Sequence, residues 1–141
     1  MVSCHAIAQV EDRFIGDPLE IEMFKISGWE IVEEARGIAL DKEAHKSKDS
    51  IPLVLAAFRP TGDEDVNKWL AVLKRFEFSS ALQRMSVVTR YCSDNSQVSF
   101  VKGSPEIIHT LSRQSSIPYD YFDVLEKYTK DGLRVLAFGY K

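Results

Sequence analysis

The 141-residue sequence holds no apolar run close to the ~20 residues that cross a bilayer as a helix. Its opening residues, Met1-Val2-Ser3-Cys4, lack the basic and apolar regions of a signal peptide. Cysteine is scarce: Cys4 and Cys92 stand alone, without metal-ligand spacing, and point to a reducing compartment. A disulfide between the two stays open in principle. Neither common phosphate-cradling loop is present, since there is no G-x-x-x-x-G-K-[ST] and no G-x-G-x-x-G. No Ser/His/Asp or Cys/His set stands out, which argues against a small self-contained hydrolase. His5, His45 and His109 lack zinc spacing and read as structural or solvated. Their expected settings are a helix, a charged loop and a second helix. A net charge of −3 leaves no electrostatic footprint for nucleic acid or an anionic membrane.

What remains is an ordinary globular composition, 45% hydrophobic and 28% charged. The length suits one domain, residues 1–141, burying roughly two thirds of its unfolded surface.

Gly16-Asp17-Pro18-Leu19-Glu20 opens a helix. Asp17 suits the N-cap, Pro18 the first position and Glu20 the third, the spacing of a capping box, and Gly28 ends the helix. Before it, Val2–Val10 is a short helix candidate and Glu11–Ile15 a link. Trp29–Glu33 reads as a strand with Trp29 and Ile31 or Val32 inward. Ala35–Ser50 is charged and reads as a surface loop. Strands are expected at Ile51–Arg59, Asn67–Phe78, Met85–Tyr91 and Val98–Lys102, the last two forming a hairpin around Ser93-Asp94-Asn95-Ser96. Ser104 and Pro105 start a further helix to about Leu111. After a loop at Ser112–Pro118, Asp120–Lys130 is amphipathic and closes at Gly132. Leu133–Tyr140 reads as a final strand. Strands and helices do not alternate strictly. The expected class is therefore α+β, a mostly antiparallel sheet of about six strands flanked by helices.

The chain is organised around Lys74–Val88, K-R-F-E-F-S-S-A-L-Q-R-M-S-V-V, and Phe100–Glu106, F-V-K-G-S-P-E. Phe76 and Phe78 are two apart and in an even strand would share a face. The everyday fate of such rings is the core. A ring at a strand end beside hydroxyls and a cation can also stack on a flat ligand.

F-E-F-S-S-A-L-Q-R-M-S-V and V-K-G-S-P-E resemble the nucleotide-binding (N) domain of P-type ATPases. G-D-P-L-E at Gly16–Glu20 and D-G-L-R-V-L-A at Asp131–Ala137 are similar to two further motifs of that domain, in the family's order. F-S-S-A-L-Q-R-M-S-V and Gly28-Trp29-Glu30 most resemble the type-five, subclass B pumps, polyamine transporters of late endosomes, lysosomes and vacuoles.

The resemblance implies roles for particular residues. Phe78 matches the ring that stacks on adenine, against the alternative of a core ring at the sheet edge. Lys102 matches a lysine lining the bottom of the adenine pocket, and Gly103 lets backbone come close there. Glu20 matches an acid near the adenine amino group, although a capping box alone would explain it; Asp17 reads as the cap. Arg134 matches an arginine reaching ribose and phosphates, a task suited to its planar fork. A family lysine that approaches the phosphates falls on Gln83, with Arg84 next to it, and this departure leaves open which of the two takes the role. Ser79 and Ser80 are candidate hydrogen-bond partners at the rim, with turn formation the favoured reading.

The phosphorylated aspartate of the family lies in D-K-T-G-T, and neither that motif nor G-D-G-x-N-D occurs here; the T-G-D at Thr61–Asp63 falls in the turn-rich connector Pro60–Asp65. The expectation is an excised, monomeric, cytosol-facing domain of an endolysosomal or vacuolar pump. It would bind ATP, with Mg²⁺ ligated elsewhere, and present the γ-phosphate to an aspartate in an absent phosphorylation domain. Its partners would be that domain and the actuator domain, with no nucleic acid and membrane contact only through absent helices. It would not hydrolyse ATP alone. The alternative is a non-catalytic module whose aromatic strand edge binds a protein or peptide.

Overall fold

The computed structural model describes residues 1–11, 13–32 and 54–141. The expected loop at Ala35–Ser50, with His45, and the start of the expected strand at Ile51 lie outside the described residues.

Two short strands come first, β1 (Ala8–Val10) and β2 (Arg13–Ile15), paired antiparallel. Helix α1 (Pro18–Ile26) follows, then β3 (Trp29–Val32), β4 (Ala56–Pro60), β5 (Leu70–Ser79), β6 (Arg84–Tyr91) and β7 (Gln97–Gly103). Helices α2 (Pro105–Leu111) and α3 (Tyr121–Lys130) precede the last strand, β8 (Ala137–Tyr140). Strands β3 to β8 form one six-stranded sheet in sequence order, every neighbouring pair antiparallel. This is the expected α+β class.

Local chemistry accounts for several elements. Asp17 caps α1 by accepting from the Leu19 and Glu20 amides, and Pro18 occupies the first turn, where its missing N–H costs nothing. Gly28, at φ +70°, takes the left-handed conformation that stops the helix. Ser104 caps α2 through the Ile107 amide. The alternation of buried Met85, Val87 and Thr89 with half-buried neighbours makes β6 the central two-faced strand.

The sheet has two covered faces. On one, Phe58, Val72, Met85 and Val87 meet Phe24 of α1 together with Cys4 and Ile7. On the other, Ala57 and Ala71 pack with Val54, Val32 and Trp69. Toward β8, α2 lies on that second face: a methyl placed on Gly139 would touch Val101 and Ile108. Trp29 and Ile31 pack on the first core and Val32 on the second, as the strand reading expects.

Four expectations are corrected, the first being that the link expected at Glu11–Ile15 carries strand β2. Val2–Val10 is not a helix; residues 3–5 bend and Ala8–Val10 is strand β1. The cause is His5. Its buried ring has Nε2 at 2.7 Å from the Val2 carbonyl, while the Ile7 N–H donates to Nδ1 at 3.2 Å, so the imidazole takes backbone groups that a helix would have used. The β5 strand starts at Leu70, because Asp65 caps a short 3-10 turn over Val66–Lys68. The last strand starts at Ala137 rather than Leu133. Helix α3 forms where its pattern predicts, yet it buries no residue; it leans on α2 through the rings of His109, Tyr121 and Phe122 and through Tyr121 Oη donating to the Pro105 carbonyl at 2.8 Å. Both cysteines are free.

His5 sits edge-on to Phe24 and Phe58, at 5.1 and 5.4 Å between ring centres. Burial lowers its pKa to about 4, against a smaller upward pull from its bond to Val2. The folded chain therefore binds fewer protons than the unfolded chain between about pH 4 and 6.5, and stability must rise with pH across that window. Urea unfolding should show a loss of up to about 3 kcal/mol as pH falls from 6.5 to 4. His5→Phe should remove that component, leaving only the carboxylate-driven loss at lower pH.

Candidate functional site

The candidate residues converge on one end of the six-stranded sheet, where β5 finishes, β6 begins and β7 passes into α2. The register there is uneven. Phe76 pairs with Ser86 and Ser79 with Arg84, so β5 advances three residues while β6 advances two. One extra residue is accommodated as a bulge, and Glu77 and Phe78 together oppose Met85. The expected sharing of a face by Phe76 and Phe78 is thereby overturned: Ser79 takes the place beside Phe76. The Phe76 ring instead lies under the Lys74 ammonium at 4.9 Å. Phe78 remains 60% exposed, so the core does not claim it.

Met85 is the hinge of the arrangement. On its other side it pairs with Lys102, so Phe78 and Lys102 flank it on adjacent strands. Two strand spacings separate them, roughly 10 Å, about the span of a flat bicyclic ring with its contacts.

Lys102 is buried and ion-paired with Glu20, the side chains retaining 7% and 15% exposure. The capping box is not made. Glu20 Oε1 goes to Lys102 and Oε2 accepts the Ala6 N–H at 3.0 Å, leaving Asp17 to cap alone. A long-range partner has outcompeted the local one. Beneath the pair, the Cys4 thiol lies 3.9 Å from the Met85 and Phe100 carbonyls. Burial raises its pKa, an effect larger than the opposing pull of Lys102, so the thiol stays protonated and unreactive.

Gly103 has its own explanation. A Cβ there would stand 2.5 Å from the Gln83 carbonyl oxygen and 2.9 Å from Arg84 Cβ. The backbone approach that glycine permits is thus made by the protein's own turn, Ser80–Gln83. Gln83 sits at φ +50°, and its carbonyl accepts the Ser104 amide at 3.1 Å, fastening the turn to the start of α2. Ser79 Oγ accepts the Leu82 amide at 3.4 Å, in keeping with its reading as a turn former. Arg84 is half-buried and pairs in register with Gly103.

Arg134 is exposed and reaches Asp17 Oδ2 at 3.4 Å, which ties the segment after α3 to the start of α1. Burial nudges the Asp17 pKa upward, but the Glu20 and Leu19 amides and the Arg134 guanidinium outweigh it and hold the carboxyl below its ordinary range. Asp17, Glu20, Lys102 and Arg134 therefore form two linked ion pairs, and Gln83, Arg84 and Gly103 form the adjoining backbone corner. Phe78 stands across Met85 from both. Sequence reasoning missed His5 and the Ala6 amide, because only the folded chain brings residues 2–7 against Glu20.

Among the described residues no three His, Cys, Asp or Glu side chains cluster as a metal site. A groove of about 680 Å³ lies elsewhere, on the α2 face, bordered by Ser86, Val101, Ile108, Arg113 and Lys141. It shares no residue with the Glu20–Lys102 end.

The chain belongs to the P-type ATPase family: residues 13–141 match the family's cytoplasmic domain N. Among its relatives, polyamine-transporting ATPase 13A3 of Macaca fascicularis is 34% identical over 155 aligned positions, covering 100% of this chain. Human polyamine-transporting ATPase 13A2 is 35% identical over 148, again covering 100%. Vacuolar cation-transporting ATPase YPK9 of Saccharomyces cerevisiae is 33% identical over 151, covering 97%. The chain spans 12%, 12% and 10% of the lengths of these three relatives. No helix among the described residues is long and apolar enough to cross a membrane.

Two experiments test the geometry. Lys102→Met strands a buried carboxylate and should cost about 3–5 kcal/mol, whereas Lys102→Met with Glu20→Gln should cost less than the sum of the singles. A urea double-mutant cycle that is additive would deny the pair. Gly103→Ala must push the Gln83 carbonyl aside and should cost about 1–3 kcal/mol, read as a lowered urea midpoint.

Proposed function

We propose that this chain is the ATP-binding domain of a P-type cation pump, holding adenine and ribose while leaving the triphosphate exposed. The observation that carries the reading is an exposed Phe78 and a buried Lys102–Glu20 pair on either side of Met85. A ring left out of the core at a bulge is available to stack, and base–aromatic stacking is worth about 1–3 kcal/mol. Lys102 closes the far side of the cleft. Glu20 has two oxygens with four acceptor sites between them, of which the Ala6 amide and Lys102 occupy two, so it can still accept from the adenine amino group. Arg134, exposed beside Asp17, supplies the cation nearest the ribose and phosphates, and Arg84 or Gln83 lies at the adjoining corner. Gly103 keeps that corner tight. Magnesium would travel with the triphosphate and be ligated elsewhere in the pump.

In this reading the domain positions ATP and performs no bond-making. Domain closure carries the γ-phosphate to an aspartate in the phosphorylation domain. Relatives named as polyamine-transporting and vacuolar pumps support a polyamine or other cation cargo and a cytosol-facing place on an endolysosomal or vacuolar membrane. Residues 1–141 act as one nucleotide-binding unit. Affinity should be weak, about millimolar to high micromolar, because one face of the ligand is held. The exposed Phe76 and Phe78 also suit the second reading, a strand edge that captures a peptide.

Titration with ATP, followed by backbone amide shifts, separates the two. Shifts grouped at Phe78, Lys102, Gly103 and Glu20 are expected; silence at millimolar ATP favours the peptide reading. Phe78→Ala should weaken ATP binding roughly fivefold to a hundredfold without lowering the melting temperature. Unfolding of this variant would mean that Phe78 is a core residue and that the cleft is misplaced.

A further inference from the structure

Resting on the adenine site just proposed, we infer that His5 is a positioning residue for nucleotide selectivity, acting on Glu20 through the Ala6 amide. The ring is buried at 2% exposure and makes bonds at both nitrogens. Neutral imidazole protonated at Nε2 donates to the Val2 carbonyl, and Nδ1 accepts the Ile7 N–H. These two bonds close residues 2–7 into a loop around the ring. Ala6 lies inside that loop, and its N–H is the group that holds Glu20 Oε2. With one oxygen fixed by main chain and the other by Lys102, the Glu20 carboxylate has a single orientation.

The loop is seated on the helix that carries Glu20. His5 packs edge-on against Phe24, one turn after Glu20 on α1, and against Phe58 of β4. The charged groups that act on the ring are Glu20 from α1, Lys102 from β7 and Arg75 from β5. The two cations oppose a charge on the imidazole and the single carboxylate favours it, and burial adds to the opposition. The ring therefore remains the neutral donor–acceptor that the loop needs.

An oriented carboxylate discriminates at purine position 6. It accepts from the amino group of adenine, and it repels the carbonyl that hypoxanthine presents there. A carboxylate free to rotate loses that contrast, because it can turn away from the carbonyl. His5 therefore sets the preference for ATP over inosine triphosphate without touching either ligand.

The test measures ATP and inosine triphosphate affinities by calorimetry for the 141-residue chain and for His5→Phe, Glu20→Gln and Phe78→Ala. His5→Phe retains an aromatic ring beside Phe24 and Phe58 but removes both nitrogens. It should weaken ATP about tenfold and bind inosine triphosphate no more weakly than the parent, and the double variant with Glu20→Gln should show no further loss. Preference lost in Glu20→Gln but kept in His5→Phe overturns the role of His5 alone. A parent chain with no preference, or a Phe78→Ala variant that binds ATP normally, overturns the adenine site and the role of His5 with it. If His5→Phe does not fold, the unaltered ¹⁵N-labelled chain decides. ATP should shift the Ala6 and Ile7 amides and the His5 Nδ1 resonance while inosine triphosphate leaves them in place. Equal responses to the two nucleotides, or none, overturn the proposal.

Discussion

The ion pair between Lys102 and Glu20 is the contact on which the rest of the structure turns. It joins residues 82 apart in sequence, one on the fifth strand of the sheet and one in the first helix. Bringing two charges out of water is costly, and a pair of this kind is kept only where its remaining hydrogen-bond sites are served. Here the Ala6 amide serves the carboxylate, and apolar packing around Cys4 and Met85 keeps water from competing. The pair thus fixes the direction in which α1 crosses the sheet, and Phe24 follows one turn later to fill the core beneath it. One contact sets both the packing of a helix and the chemistry at the sheet's end.

A second constraint is steric rather than electrostatic. The Ser80–Gln83 turn folds back so closely that a single methyl on Gly103 would collide with its carbonyl. That closeness lets the Ser104 amide reach Gln83, which anchors α2. The bulge at Glu77 and Phe78 belongs to the same corner. Because β5 carries one residue more than β6 between their last two pairs, the strand end cannot continue the alternation that buries every second side chain. Phe78 is left exposed by the irregularity, and the neighbouring turn is held rigid by the same short span of backbone.

Much of this was readable in the sequence wherever the determinant is local. Asp17-Pro18 and Ser104-Pro105 announce two helix starts, and both appear where the caps place them. The alternation from Met85 to Tyr91 and from Val98 to Lys102 gives the central hairpin, and the motif order gives the family. The misses are of two kinds, partners distant in sequence and local bonds that no residue pattern announces. The Glu20 spacing fits a capping box, yet a buried ammonium binds its carboxylate more strongly than the exposed amide of the cap could. Val2–Val10 has enough alanine and branched residues to suggest a turn of helix, but no local pattern says that the His5 ring will bind main chain on both sides of itself. Phe76 and Phe78 look equivalent in an even strand, and only the register shows the added residue. For the candidate site, the residues that the sequence singles out lie at one end of the sheet; the bond from the Ala6 amide had no signal, because every residue has an amide.

The charge arrangement bears on how such an end of a sheet would serve the nucleotide proposed for it. Adenine is neutral, so a cleft that accepts it gains nothing from net charge and is harmed by an unpaired one. Lys102 and Glu20 cancel, and what they offer a purine is a fixed set of donors and acceptors rather than a field. The triphosphate is the opposite kind of group, heavily charged and best left in water until closure. Arg134 matches that need: it is exposed, and its tie to Asp17 spans 3.4 Å between solvated partners, an interaction worth on the order of 1 kcal/mol or less. A contact that weak would hold the guanidinium near the proposed nucleotide without competing with a phosphate for it. The buried pair is rigid and sums to zero charge, while the exposed pair is loose and easily exchanged, and this division follows from burial alone. On the proposed reading, a domain that reads a base firmly and hands over a phosphate freely would need both, and Glu20 and Asp17 carry them three residues apart.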